Sequence, residues 1–236
     1  MKFIRLIALL LFLPFPAFAG TFVETFDDEN LDEWQEIVLL DFDPVPDTWE
    51  IIDGELQGTI HSGLPHLLTT GNEKWRNYIV EVDVFPLEKH GPGNIGIAAR
   101  IQGTVGTLSL IGDYPFPFPA DDGRTTTCFG GDFHGNKFRM FGSGVSPLLE
   151  LETWATIKLE VNEDIFILWL NGEKVLTGKD ETFTFLEGRV GLSVANYTVR
   201  FDNLVISGDG VPNKGRRLSV TSKGKLATTW GNLKRF

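Results

Sequence analysis

One cysteine, Cys128, stands in 236 residues, so no internal disulfide can hold this chain together. Helical periodicity is just as scarce. "NLDEWQEI" offers one short turn with Asn30 as its cap, and no amphipathic run reaches helix length. The histidines His61, His66, His90 and His134 show no HxH or HExxH metal spacing. Positive charge is short as well: 21 Lys and Arg against 32 Asp and Glu give a net charge of −11. That balance argues against nucleic acid and anionic membrane, and leaves neutral glycans or cations as partners. After the first nineteen residues no long apolar run remains, so no further transmembrane segment is expected.

Those nineteen, "MKFIRLIALLLFLPFPAFA", begin basic at Lys2 and Arg5, continue apolar, and end small-x-small at Ala17 and Ala19. The pattern is a secretory signal peptide, residues 1–19, cleaved before Gly20, which makes the protein secreted, extracellular or periplasmic. Residues 20–208 are then one domain. Residues 209–236 hold seven basic residues and one acidic, with one aromatic, Trp230. They read as a separable linker and tail that contacts an anionic envelope component.

Short β-signals fill the domain: 21–26, 49–58, 78–85, 94–103, 106–112, 137–142, 155–162, 165–176, 188–196 and 198–206. "NG" at Asn171 and Gly172 splits two apolar stretches as a primed turn does, and "NED" at 162–164 offers a second turn. In "YIVEVDVF" Val80, Val82 and Val84 face one way, and Glu81 and Asp83 the other, toward water or a groove. In "TVRFDNLVISG", 198–208, period two sets the Asp202 carboxylate on the face of Leu204 and Ile206, where it needs a cation, a donor or water. Trp34, Trp49, Trp154 and Trp169 are expected in the core, and Trp75 is open.

Residues 112–136, "GDYPFPFPADDGRTTTCFGGDFHGN", are too irregular for a central strand. Tyr114, Phe116 and Phe118, with Arg124, His134 and Arg139, supply the ring faces and polar forks that sugar binding asks for; equally, the rings can pack as a lid on the sandwich edge. Asp121, Asp122, Asp132 and His134 offer metal or acid–base chemistry, or simply make turns. Glu81 and Asp83 resemble the acidic strand of family 16 glycoside hydrolases, but the third carboxylate of that pattern is missing and Pro86 follows "EVDVF". Cys128 reads as a small buried apolar residue.

"WATIKLEVNEDIFILWLNGEKVL" followed by "GRVGLSVANYTVRFDNLVISG" resembles the closing half of laminin G-like and other concanavalin A-like lectin and glucanase domains. "FVETFDDENLDEW", "WEIIDGELQG" and "NIGIAAR" resemble the opening and middle strands of the same superfamily, including the bacterial 3-keto-disaccharide hydrolase domain, over residues 21–207. The resemblance implies an all-β, antiparallel two-sheet jelly-roll sandwich. It also implies a structural Ca2+ held by Asp202 and the carbonyls of Thr25 and Gly54. Fold alone does not fix function. The expected activity is lectin-like, non-catalytic binding of a polysaccharide or glycoconjugate. A glycoside or 3-keto-disaccharide hydrolase is the alternative, and a structural or adhesion module at the cell surface a third class.

Overall fold

Alternation of apolar and polar residues is carried into the structure strand by strand. A computed structural model describes residues 19–39, 47–114, 123–135, 137–182 and 184–215. They form β1 (Ala19–Glu24), β2 (Gln35–Val38), β3 (Thr48–Ile52), β4 (Glu55–Ile60), β5 (His66–Thr70), β6 (Tyr78–Gln102), β7 (Val105–Gly112), β8 (Thr126–Asp132), β9 (Lys137–Gly144), β10 (Ala155–Asn162), β11 (Ile165–Leu170), β12 (Glu173–Lys179) and β13 (Arg189–Asp209), with no helix among the described residues. No helix there is long and apolar enough to cross a membrane.

All pairings between the named strands are antiparallel, and two long strands, β6 and β13, serve both layers of the sandwich. The start of β6 and the end of β13 form a first sheet with β10, β11 and β12 on one side and β4, β3 and β1 on the other. Their other halves form a second sheet with β7, β8 and β9 on one side and β5 and β2 on the other. The expected antiparallel jelly-roll sandwich is what forms. Val80, Val82, Val84, Ile157 and Leu159 from the first sheet meet Ile95, Ile97, Leu192, Val194 and Leu68 from the second in one apolar core. A second cluster, with Leu67, Ala98, Leu108, Leu110 and Phe129, buries the opposite face of the second sheet. β6 and β13 cross between layers at Gly93 and Asn196. A Cβ on Gly93 would stand 2.2 Å from the Ala195 carbonyl oxygen, and the Asn196 amide donates to the Pro92 carbonyl at 2.6 Å.

Several segment boundaries differ from the sequence reading. "WEIIDGELQG" is a hairpin rather than one strand, because Asp53 (φ +55°) and Gly54 (φ +75°) both turn left-handed. The same geometry appears at Asn171 and Gly172, as expected. The segments 78–85 and 94–103 are one strand, as are 188–196 and 198–206, since each long strand bends instead of ending. Thr126–Asp132, read as irregular, lies between β7 and β9: its threonines, Cys128 and Phe129 are all buried, and sheet pairing satisfies their backbone. Cys128 is a buried free thiol. Trp75 is core, 4% exposed. Trp34 and Trp49 pack partly buried against it, whereas Trp154 and Trp169 do not belong to it and lie half-buried on the outward face of the first sheet.

The packed domain also runs past the expected boundary at 208. Val211 is buried in the core cluster, Lys214 bridges Phe22 of β1, and the Lys214 ammonium pairs with Glu33. Residues 210–215 are therefore part of the sandwich edge. Residues 1–18 and 216–236, with Trp230, lie outside the described residues.

Candidate functional site

Turning the valines of β6 inward sends Glu81, Asp83 and Phe85 outward on the first sheet. The same alternation sends Thr156 and Lys158 of β10 outward, with Trp154 just before them, and Arg200 of β13 and Glu55, Gln57 and Thr59 of β4 likewise. Register then aligns them in rows: Trp169, Lys158 and Glu81; Thr156, Asp83 and Asp202; Phe85, Arg200 and Gln57. Phe85 and Trp154 form a tilted ring pair 5.0 Å apart. Beside them Arg200 donates through Nε to Gln57 Oε1 and through Nη1 to Glu55 Oε2, both at 3.3 Å. The Lys158 ammonium sits 4.3 Å from the Trp169 ring. This face offers flat apolar rings next to fixed donors and acceptors, the combination that recognises C–H patches and hydroxyls together.

Asp202 is not on the face of Leu204 and Ile206. A bulge between Asp202 and Val205, with Asn203 at φ +53°, shifts the phase, so Phe201 and Leu204 both point inward and Asp202 stays half-buried on the outer side. Its Oδ1 accepts the Asn203 N–H at 2.7 Å. The Asn203 amide donates to Asp202 Oδ2 at 3.3 Å and to Asp83 Oδ2 at 2.9 Å, while Thr156 donates to Asp83 Oδ1 at 2.8 Å. At this bulge the outer neighbour of β13 changes from β4 (Leu56 opposite Phe201) to β1 (Glu24 opposite Leu204). Thr25 and Gly54 lie at those strand ends, so the three residues expected to hold calcium meet at one corner. Carboxylate oxygens keep acceptor capacity beyond one hydrogen bond, and this oxygen-only set fits a hard cation. Among the described residues no group of three His, Cys, Asp or Glu can hold a metal ion.

Just past the end of β4, His61 follows the outward row, and His90 of β6 and the buried His66 of β5 gather with it near Asp47. His90 Nε2 lies 2.9 Å from Thr198 Oγ1, and its ring stacks on His61 at 4.2 Å. Asp47, whose side chain is 4% exposed, accepts the His61 backbone N–H at 2.7 Å and lies 3.7 Å from His61 Nδ1 and 3.1 Å from His66 Nε2. Burial first, and then the charge of His61, push His90 below the usual imidazole value against the opposing pull of Glu88 and Asp47.

Of the sugar-binding set expected from sequence, the described members are dispersed. Tyr114 and Arg124 lie at one end of β7 and β8, where Asn94 donates to the Tyr114 carbonyl at 2.9 Å. His134 lies at the other end, 3.2 Å from the Val38 carbonyl. Arg139 is committed to Asp180 at 2.5 Å. Phe116, Phe118, Asp121 and Asp122 lie outside the described residues. Asp132 makes a turn: the His134 N–H and Thr104 hydroxyl it accepts hold its carboxyl below the ordinary value. Sequence reasoning missed Phe85, Trp154 and Arg200. Alternation in "YIVEVDVF" already pointed Phe85 outward, but the meeting of all three depends on cross-strand register.

A family model described as 3-keto-alpha-glucoside-1,2-lyase-like domain matches residues 21–207. No curated protein matches the chain. Among solved structures, the carbohydrate-binding module CBM66 from Bacillus subtilis superposes with a TM-score of 0.57 at 18% identity, covering 76% of this chain and 98% of that one. A Bacillus subtilis protein of unknown function with a galectin-like fold gives 0.54 at 13% identity, covering 78% and 92%. The VIP36 exoplasmic/lumenal domain, in a Ca2+/Man3GlcNAc-bound form, gives 0.54 at 6% identity, covering 83% and 90%. At these identities the likeness is one of fold.

Proposed function

Since the chain belongs to the family of 3-keto-alpha-glucoside-1,2-lyase-like domains, we propose that it recognises a carbohydrate, and does so on the outward face of its first sheet rather than at the Tyr114 segment. The observation that carries this is the Phe85–Trp154 ring pair set against Arg200, whose guanidinium is held in place by Glu55 and Gln57. Fixing the fork beforehand removes side-chain entropy that binding would otherwise cost. Glu81, Asp83, Glu55 and Asp202 make the face acidic, so a neutral glycan suits it better than a uronate or sulfated one. The fold of CBM66 and of the Man3GlcNAc-bound VIP36 domain supports a carbohydrate ligand. Secretion through residues 1–19 and a structural calcium at Asp202, Thr25 and Gly54 belong to the same proposal. Glu81 and Asp83 enter the proposal as part of the acidic binding face, where Asp83 accepts from Thr156 and Asn203.

The test is affinity electrophoresis through a panel of neutral polysaccharides. Phe85→Ala and Trp154→Ala should each weaken retardation by roughly fivefold to tenfold, the loss of about 1 kcal/mol per ring face. Tyr114→Ala should leave it unchanged. Retardation lost only in the Tyr114 variant would move the site to that segment.

A further inference from the structure

We propose that the basic stretch beginning at Arg216 and Arg217 docks in the groove beside β1, so that the start of the C-terminal segment straps the sandwich instead of reaching out to the envelope. The inference stands apart from the carbohydrate reading. Between residues 24 and 33 the sequence holds six acidic residues and no basic one, whereas between 216 and 236 it holds six basic residues and no acidic one. The first stretch forms one wall of a groove of about 400 Å3, with Glu24, Asp27, Asp28 and Asp32 beside the rings of Phe22 and Trp34. Gly215 lines the same groove, so the chain arrives there at the residue before Arg216.

The approach is fixed by backbone. The Lys214 N–H donates to the Thr21 carbonyl at 3.0 Å, the Val23 N–H to the Lys214 carbonyl at 2.9 Å, and the Thr21 N–H to the Asn213 side-chain oxygen at 3.0 Å. Gly215 is left-handed at φ +94°, and a Cβ on it would stand 1.8 Å from the Val23 carbonyl oxygen, so only glycine lets the chain pass this close to β1. The Lys214 ammonium already pairs with Glu33 on the groove wall. Among the described residues, Glu33 is the only one of the groove's five carboxylates in an ion pair. Burial first, and then the charges of Asp28 and Glu33, hold the Glu24 carboxyl above its ordinary value against the N–H groups of Phe26 and Thr25. Further cations in the groove relieve that repulsion. An extended chain covers about 7 Å in two residues, which keeps Arg216 and Arg217 within reach. Guanidinium groups suit this wall, since they pair carboxylates through a planar fork and stack on rings such as that of Trp34. Exposed ion pairs are individually weak, but tethering makes the docking intramolecular, at an effective concentration on the order of millimolar.

The test is zero-length carbodiimide coupling of the full chain in the presence of chelator, which joins an amine to a carboxylate in contact, read by peptide mass spectrometry. Arg216→Lys and Arg217→Lys supply the amines without changing the charge, and the Lys214–Glu33 link is the internal control. Each variant should link to Asp27, Asp28 or Asp32 with a yield comparable to the control's. Mixing isotope-labelled with unlabelled protein separates links within one chain from links between copies. Removing residues 216–236 should speed hydrogen exchange across residues 24–34 about threefold or more, because the strap no longer holds that edge. The control link without links from positions 216 and 217 to the groove, such links only between copies, or exchange unchanged by the truncation would each overturn the proposal.

Discussion

Asp83 and Asp202 are direct cross-strand partners in the β6–β13 pair, two carboxylates facing one another on the outward side of the sheet. Like charges placed so are destabilising, and the Asn203 amide lies between them, donating to both.

Replacing Asn203 removes the shared donor. Asn203→Gly keeps the left-handed backbone available, so its cost reports mainly the lost amide: about 1–3 kcal/mol in urea unfolding. Adding Asp202→Asn to that variant should recover part of the loss by removing one of the two charges. An equal loss in single and double variants would mean that the repulsion is already screened.

Calcium at the corner of Asp202, Thr25 and Gly54 would tie the first strand to the last. Chelator should then lower the melting temperature of the wild type and have little further effect on Asp202→Ala, because a cation that binds only the folded chain stabilises it by mass action. Identical melting of calcium-loaded and metal-free protein would rule the cation out and leave Asp202 a hydrogen-bonded role.

Asp180 carries a pH dependence whose sign is fixed. Burial alone would raise its pKa, but the N–H groups of Phe185, Thr184 and Thr182, the Thr182 hydroxyl and Arg139 outweigh it and hold the carboxyl below its ordinary value of 3.8. A lowered folded pKa contributes stability that is full above the unfolded value and is lost as pH falls through the folded one. Asp180→Asn should therefore be less stable than wild type at pH 7, with the gap narrowing below about pH 4 in acid unfolding. A gap independent of pH would show that shape rather than charge holds Thr182, Thr184 and Phe185 to Asp180. Arg139→Ala, which leaves the other donors in place, should cost about 2 kcal/mol.

Cys128 should resist thiol reagents in the native state. Burial pushes its thiol up to about 12, with the Ser109 hydrogen bond opposing and the Asp180 charge adding to the rise. Ellman's reagent at pH 8 should react only at the rate of unfolding, and fast labelling without denaturant would place the sulfur nearer the surface.

Period-two alternation, absent helical periods and the Asn171-Gly172 turn determined the all-β class and the inward face of the first half of β6. They could do so because side-chain direction along a strand is local: Val80, Val82 and Val84 point inward wherever β6 lies, and Glu81 and Asp83 must then point out. Where strands bend rather than end was not local. Pro86 and the Gly91–Gly93 run look like terminators in sequence, yet β6 continues because β13 bends beside it and Asn196 closes on Pro92. The same holds for Asp202. One left-handed residue, Asn203, shifts the register by a step, and no count of apolar residues reveals it. The candidate site was still less legible. Phe85, Trp154 and Arg200 come from three separate segments, and only cross-strand pairing, set by the packing of the whole sandwich, brings them to one surface. Sequence decided what each strand buries; tertiary structure decided which outward side chains share a face, because that depends on pairing between strands distant in the chain.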